Sequence, residues 1–544
     1  MKVLIIGGYG TFGLRMARRL SDEPGLEIVL AGRSLAKAKA ACALLSGAAI
    51  FTPLRLDRNV MNLDFTPDLI VDASGPFQAY GRQTVVEYCL EHRIDYADIS
   101  DDGAFVAAIL MREMDAEKAG ISLISGLSTC PVLSAIGLRE IEARIGPATD
   151  VTIGVAPSPK AELGRNVVGA VASYAGRKTV PVFRDGKAIT VAGLTETRRE
   201  TVCVPGDIPL PRLPFSLADA PDAQSLPQDF FTLKNIWTGA GTRPVWLHKI
   251  LVGMSHLVSW KLCPPLTPFA GLFYRVRGLF PFGTHRGGLF VRASNATDSA
   301  SWHIVAEGDD GPNIPTLPVV ALIRKKLRGE IIPAGAYSGD EIIQLSDLQP
   351  EFDALAIRYG LQYDGANLPI YQKVMGDSYA RLHSSIQSLH HTGEGRIFQG
   401  RCEITRGKNP LSHIVAAIFR FPKAGKDIRV DLTITPDSKG EFWERLFDGK
   451  RMASHHAMGR GRWARHVTER FGPFAIHMAI LEEGGNLRIE TRGWSAFGMP
   501  LPKFLRPGGE VYETERDGRF IFHVDLRAPL FGRLCKYEGW LEPV

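Results

Sequence analysis

Between Lys2 and Ser125, short unbroken apolar runs alternate with stretches whose apolar residues recur every three or four positions. Val3-Leu4-Ile5-Ile6, Glu27-Ile28-Val29-Leu30-Ala31, Asp68 to Ala73 and Ile121 to Ser125 read as buried strands, since apolar residues occupy both faces. Phe12, Met16 and Leu20 fall at i, i+4 and i+8, with Arg15, Arg18 and Arg19 on the other faces, which predicts an amphipathic helix. Val85, Val86, Cys89 and Leu90 predict another, and Asp95 to Ser100 follows it. This alternation predicts a parallel sheet covered by helices. From 361 onward the period changes to two. Val430, Leu432 and Ile434 alternate with Arg429, Asp431 and Thr433, and Leu487 and Ile489 with Arg488 and Glu490. Phe474 to Ile480 and Phe520 to Leu526 repeat the pattern. With the turns Glu483-Gly484-Gly485-Asn486 and Arg516-Asp517-Gly518, it predicts an antiparallel sheet or open barrel. Between these regions the chain predicts a strand over 151–155, a strand pair over 178–192, a strand over 300–307 and a helix over 317–328. Residues 204–229, rich in proline (Pro205, Pro209, Pro211, Pro214, Pro221, Pro227), read as an extended connection.

Composition narrows this picture. The 544 residues are 45% hydrophobic and 22% charged, as in folded proteins with several cores. Net charge is +6 from 64 Lys and Arg against 58 Asp and Glu, too dilute to argue for nucleic acid. The seven cysteines form no CxxC pair, so neither a disulfide framework nor a zinc ribbon is indicated, and a reducing cytoplasm is the expected setting. No export signal follows Met1, and no uncharged apolar stretch reaches the roughly 18 residues of a spanning helix.

The first strand runs into Gly7-Gly8-Tyr9-Gly10-Thr11-Phe12-Gly13, in which Gly8, Gly10 and Gly13 fit G-x-G-x-x-G. A helix and a second strand follow within about 30 residues, the setting this motif needs. Gly8 permits the tight turn, Gly10 the approach of a pyrophosphate, and Gly13 close packing of helix on strand; the helix N-terminus offers free N–H groups to phosphate. The second strand ends in Ala31-Gly32-Arg33-Ser34, with no carboxylate for a ribose hydroxyl. Arg33 and Ser34 suit a 2′-phosphate, so NADP(H) is the expected cofactor.

The GGYGTFG loop, Gly32-Arg33, Ser74-Gly75-Pro76-Phe77 with Tyr80-Gly81, and Tyr96-x-Asp98 together resemble the saccharopine dehydrogenase-like (saccharopine reductase) family. Gly164-Arg165-Asn166 and the small-residue helix after it look like that family's passage into its substrate domain, and Gly329 to Ala336 like its return segment. The resemblance spans roughly residues 1–355. It implies a Rossmann domain, NADP(H), and a substrate domain inserted before the last Rossmann elements. Residues including Arg462-Trp463, Phe471-Gly472-Pro473, Gly518 to Phe522 and Tyr537 to Leu541 resemble a bacterial domain of unknown function found fused behind such domains. The expected organisation is an α/β Rossmann domain (1–130), an inserted α+β substrate or dimerisation domain with return segment (131–360), and a mainly antiparallel β accessory domain (361–544).

The expected activity is therefore NADP(H)-dependent oxidoreduction of a small molecule, either an amino-acid or imine adduct or an apolar, lipid-linked carbonyl or alkene. The alternative is a non-catalytic NADP(H)-binding protein whose C-terminal domain binds a lipid or a protein. Gly7, Gly8, Gly10, Thr11, Phe12 and Gly13 are the pyrophosphate candidates, Arg33 and Ser34 the 2′-phosphate candidates, and Ala73, Ser74 and Gly75 the nicotinamide side. Tyr80, Tyr96 and Asp98 are the candidate proton donors or acceptors, with Cys130 nearby; Arg165 and Arg177 are candidates for a substrate carboxylate. Residues 237–282 interleave Trp246, Trp260, Phe269 and Phe273 with Lys249, Lys261, Arg275 and Arg277 and carry no acidic residue. That composition suits peripheral membrane contact or a lipid channel, against core packing or a homodimer interface. Nine histidines after 380 show no metal-ligand spacing, so no metal is expected; Trp463, Trp494, Phe520 and Phe522 are candidates to line a barrel.

Overall fold

The computed structural model describes the chain except residues 80–82, 162–164, 211, 279–282, 365–367 and 392–395, with backbone alone at 79, 165–167 and 276–278. It forms two compact units: 1–199 with 213–297 and 304–358, and 200–212 with 298–303 and 359–544.

In the first unit, strands β1 (Lys2–Ile6), β2 (Glu27–Gly32), β3 (Ile50–Arg55), β4 (Leu69–Asp72), β5 (Asp95–Asp98) and β6 (Ser122–Ser125) form a parallel sheet. Val3, Leu4 and Ile5 are wholly buried because helices cover both faces. The glycine loop opens α1 (Thr11–Arg19), and Met16 and Leu20 are wholly buried as their spacing predicts. Helices α2 (Leu35–Cys42), α3 (Thr84–His92) and α4 (Gly103–Leu110) follow β2, β4 and β5.

A mixed sheet follows from β7 (Asp150–Ala156), β8 (Lys178–Arg184), β9 (Lys187–Ala192), β10 (Leu213–Leu217), β11 (Asn235–Gly241) and β12 (Gly287–Ser294). Here β11 runs parallel to β7 and antiparallel to β10, while β12 runs antiparallel to β7. The predicted strand pair is the β8–β9 hairpin, turned at Asp185 and Gly186, both at positive φ. Residues 204–229 are more than a connection: they hold β10 and the helix Asp222–Asp229. The return segment forms β13 (Gly335–Ser338), which pairs parallel with β6, giving the order β13-β6-β5-β4-β1-β2-β3. Behind α1, Glu351 is 1% exposed and takes Arg19 of α1 at 2.8 Å and Arg324 of the helix Leu317–Leu327. Arg324 also reaches Glu23 at 2.6 Å, so one buried carboxylate ties α1 to the helix before the return strand.

The second unit is a closed antiparallel barrel. Its strands are β14 (Arg396–Arg406), β15 (Gly425–Asp437), β16 (Gly440–Phe447), β17 (Lys450–Met458), β18 (Val467–Phe471), β19 (Phe474–Glu483), β20 (Asn486–Ala496), β21 (Gly508–Arg516), β22 (Arg519–Ala528) and β23 (Gly532–Pro543). Each pairs with the next, and β23 closes on β14 from Phe398↔Pro543 to Arg406↔Cys535. Closure removes the free edges that an open sheet would leave.

Candidate functional site

The order of the first sheet reverses between β1 and β4, and a ligand crevice forms at such a point beyond the carboxyl ends of the strands. Gly7 leaves β1 at φ 78°, and a Cβ there would stand 2.8 Å from the Ala73 carbonyl oxygen. The amides of Gly7 and Gly8 both donate to Ala31 O, at 2.9 and 3.0 Å. Gly10 caps α1 without a side-chain bond. The first helical hydrogen bond is Leu14 N to Gly10 O, which leaves the Thr11, Phe12 and Gly13 amides as first-turn donors. A Cβ on Gly13 would lie 2.5 Å from Gly7 O and 2.7 Å from Gly8 Cα, so the helix meets the loop backbone to backbone. This tight, donor-rich cradle fits a dinucleotide pyrophosphate.

On the adenosine side the Tyr9 ring covers Gly32, where a Cβ would collide with it, and the Tyr9 hydroxyl accepts from Ser34 N at 3.1 Å. Ser34 caps α2, its hydroxyl accepting from Lys37 N at 3.4 Å. Arg33 is exposed, and α2 presents its N-terminus beside it. Sequence reasoning missed Tyr9; a tyrosine inside the glycine loop was the available signal. On the other side, Ala73, Ser74 and Gly75 are half-buried at the end of β4. The wholly buried Asp72 holds them: Ser74 donates its hydroxyl to Asp72 Oδ1 at 2.5 Å, and Arg58 reaches Oδ2 at 2.7 Å.

Of the candidate acid–base residues, Tyr80 lies outside the described residues, as does Gly81. Tyr96 and Asp98 are neighbours on one face of β5, both wholly buried. Burial pushes the Tyr96 phenol well above its ordinary range, with Asp98 and Asp72 adding to it. Asp98 takes hydrogen bonds from Ser100 N (2.9 Å), Gly126 N (2.9 Å) and the Ser125 hydroxyl (2.7 Å). Burial still raises it to about 6. Asp98, wholly buried, thus ties the loops after β5 and β6 together. Cys130 is buried, and its thiol is pushed well up, first by burial and then by Asp222, so it holds its proton.

A half-buried acid–base group is Asp219, which follows β10. Burial, then Asp102 and Asp101, raise its carboxyl to about 7. Its main chain hydrogen-bonds the buried Tyr174, and Gln78 from the β4 loop donates to Asp101 at 3.2 Å. Gly103, at the start of α4, abuts Gln224, so the helix Asp222–Asp229 that follows β10 packs onto the start of α4. The loops after β5 and β10 therefore bring Asp101, Asp102 and Asp219 together, and the β4 loop reaches them through Gln78.

Residues 3–124 match the family model of the saccharopine dehydrogenase NADP binding domain. The chain thus carries a nicotinamide-cofactor domain of the saccharopine dehydrogenase type, and residues 382–541 match a second family model, Domain of unknown function (DUF4166). No curated protein matches the chain. Among solved structures, apo histidine-tagged saccharopine dehydrogenase (L-Glu forming) from Saccharomyces cerevisiae aligns over 66% of this chain and 99% of its own at 13% identity, with a TM-score of 0.45. An Agrobacterium radiobacter oxidoreductase in complex with NAD+, L-tartaric acid and magnesium aligns over 62% and 91% at 11% identity, TM-score 0.29. A myo-inositol dehydrogenase from Corynebacterium glutamicum aligns over 44% and 68% at 14% identity, TM-score 0.25.

Outside the saccharopine dehydrogenase-type domain, Gly164 and the Arg165 side chain lie beyond the described residues, while Arg177 is exposed and bonds Ser173 O at 3.3 Å. The 237–282 stretch divides. Trp237 is buried in β11, while in the helix Val245–Ser259 and the residues after it Trp246 (46%), Ile250, Trp260 (64%), Leu262 and Leu272 are exposed. That exposure removes them from the core of this unit; Leu279 to Phe282 lie outside the described residues. No described helix is long and apolar enough to cross a membrane. His455 and His456 point to opposite faces of β17, bonding Asp437 (2.9 Å) and Glu469 (3.0 Å). No group of three His, Cys, Asp or Glu among the described residues is placed to hold a metal. Trp463 does not line the barrel lumen: it stacks outside on His477 at 4.3 Å and fills the space over Gly493.

Proposed function

We propose that the first unit is an NADP(H)-dependent oxidoreductase reducing an imine or carbonyl carried on an apolar body, with Asp219 as the proton donor. The observation that carries this is a carboxyl group raised to about 7 beside the crevice of a dinucleotide-type sheet. A reduced nicotinamide bound in that crevice supplies a hydride. The Thr11, Phe12 and Gly13 amides hold the pyrophosphate, and Ala73 to Gly75, pinned by Asp72, set the face presented to substrate. Asp98 fixes the loop that carries Asp101 and acts as a positioning residue. Asp219, protonated below about 7, delivers the proton to the nitrogen or oxygen of the reduced double bond. Asp101 and Asp102 favour a substrate with a cationic nitrogen and oppose a polycarboxylate such as saccharopine.

The 2′-phosphate is assigned to Arg33, Ser34 and the α2 N-terminus. Fluorescence titration should give NADPH binding at least tenfold tighter than NADH, and Arg33→Ala should remove most of that preference while leaving NADH affinity unchanged; equal affinities in the parent protein sink the assignment. The exposed, acid-free stretch from Trp246 to Leu272 is proposed to meet an anionic membrane surface. Co-sedimentation with anionic liposomes that is lost in Trp246→Ala/Trp260→Ala supports this. A dimer dispersed by the same changes would assign the face to a second copy.

A further inference from the structure

The second unit contains a cavity of ≈ 350 Å³ inside the barrel, large enough for a small-molecule ligand. Its wall is apolar: Val430 and Leu432 of β15, Ile476 of β19, Ile489 of β20, and Phe522 and Val524 of β22 line it. A barrel of this kind is either filled by its own side chains or holds something else.

Two features describe how a ligand would get in. The seam between β20 and β21 is thin: only Leu487↔Glu513 and Arg488↔Tyr512 pair, next to the hairpin at residues 484–485. Toward the opposite end the strands part, and residues 497–507 bridge the gap. Trp494 latches this strap by donating its indole N–H to Pro502 O at 3.0 Å, while Leu505 and Pro507 line the cavity beneath. The strand directions put the connections 407–424, 497–507 and 529–531 at that same end. Those connections carry exposed Leu411, Ile414, Ile418, Phe497, Phe504 and Leu530. Ile418 also lines the cavity. The parted seam therefore opens into an apolar rim.

The polar groups of the cavity indicate the ligand's head. Glu469 takes Ser454 at 2.7 Å, His456 at 3.0 Å and Arg445 at 3.7 Å. Arg445 also bonds Ser454 and lies over the Trp443 ring, and Glu513 takes the buried His390 at 2.6 Å. Tyr371 reaches His456 at 3.2 Å. Arg445, His456 and His390 each face a carboxylate, so among the described residues that line the cavity no basic group is left for a ligand carboxylate, which would meet Glu469 and Glu513. A hydroxyl or carbonyl can hydrogen-bond such a wall without adding charge.

We propose that the C-terminal barrel binds a long apolar molecule ending in a neutral hydroxyl or carbonyl, admitted at the parted β20–β21 seam under the 497–507 strap. This is independent of the dinucleotide site, and NADPH titration of the same samples keeps the two separable. The full chain is titrated with the neutral dye Nile red, then with dodecanol or dodecanoate as competitor. Saturable dye binding should be displaced by dodecanol at concentrations at least tenfold lower than by dodecanoate. Val524→Trp and Ile476→Trp, filling the cavity from different strands, should each weaken dye and dodecanol binding at least tenfold. Glu469→Gln, which frees Arg445 and His456, should tighten dodecanoate, a gain that misfolding does not produce. Absence of saturable dye binding, unchanged binding in both tryptophan variants, or dodecanoate competing as well as dodecanol would overturn the proposal.

Discussion

Asp219→Asn should lower the rate of reduction by roughly 10²–10⁴-fold, the usual contribution of a positioned acid, while NADPH affinity stays unchanged. Asparagine keeps the shape and removes the titrating proton. The parent enzyme should lose reductive kcat as pH rises through about 7, because Asp219 acts while protonated. The stability sign is the same: its carboxyl is raised above the ordinary value of 3.8, so its contribution is present below that value and lost as pH climbs through about 7. In Asp219→Asn the break near 7 should vanish from the rate profile. A break that persists, or a rate within a few-fold of the parent, assigns proton transfer elsewhere. Substrates are sought among apolar imines and ketones by NADPH consumption.

The second large effect is expected far from chemistry. Glu351→Ala should destabilise the first unit by roughly 3 kcal/mol, the lower end for breaking a buried ion pair, since the arginines are partly exposed. Arg324 keeps Glu23, but Arg19 loses its only carboxylate among the described residues. Arg19 sits in the last turn of the helix whose first turn forms the phosphate cradle. NADPH affinity should therefore fall with the unfolding midpoint. Glu351→Gln, which keeps one hydrogen bond, should fall between. Calorimetry reads the midpoint; a variant unfolding with its parent would show that the carboxylate bears no weight.

The sequence was most legible where one period dominates. Unbroken runs such as Val3 to Ile6 and the spacing of Met16 and Leu20 specify buried faces directly, and the glycine loop states its own geometry. The alternation in β15 and β22 identified an antiparallel sheet, while barrel closure rests on β14 pairing with a strand over a hundred residues later, which local pattern does not encode. Asp219 escaped notice for the same reason: the prolines Pro214 and Pro221 flank it and mimic a linker, and its neighbours Asp101 and Asp102 come from another strand. Tyr96 and Asp98 read as candidates because they stand near the carboxyl edge of the sheet; the structure buries both wholly and surrounds Asp98 with three donors. Trp463 belongs to a short turn, where no alternation says which side of the barrel it faces.

The closing seam of the barrel also sets a timetable. Because β14 comes first of the ten strands and hydrogen-bonds β23, which comes last, the barrel stays unsealed until the whole segment has left the ribosome. Until then its lumen face is open to water, and β14 and β22 are raw edges able to recruit another chain. A stop codon ahead of Gly532 would freeze that unsealed state. The β-rich unit is thus a part of this protein whose strand edges stay open until synthesis of its last strand is complete.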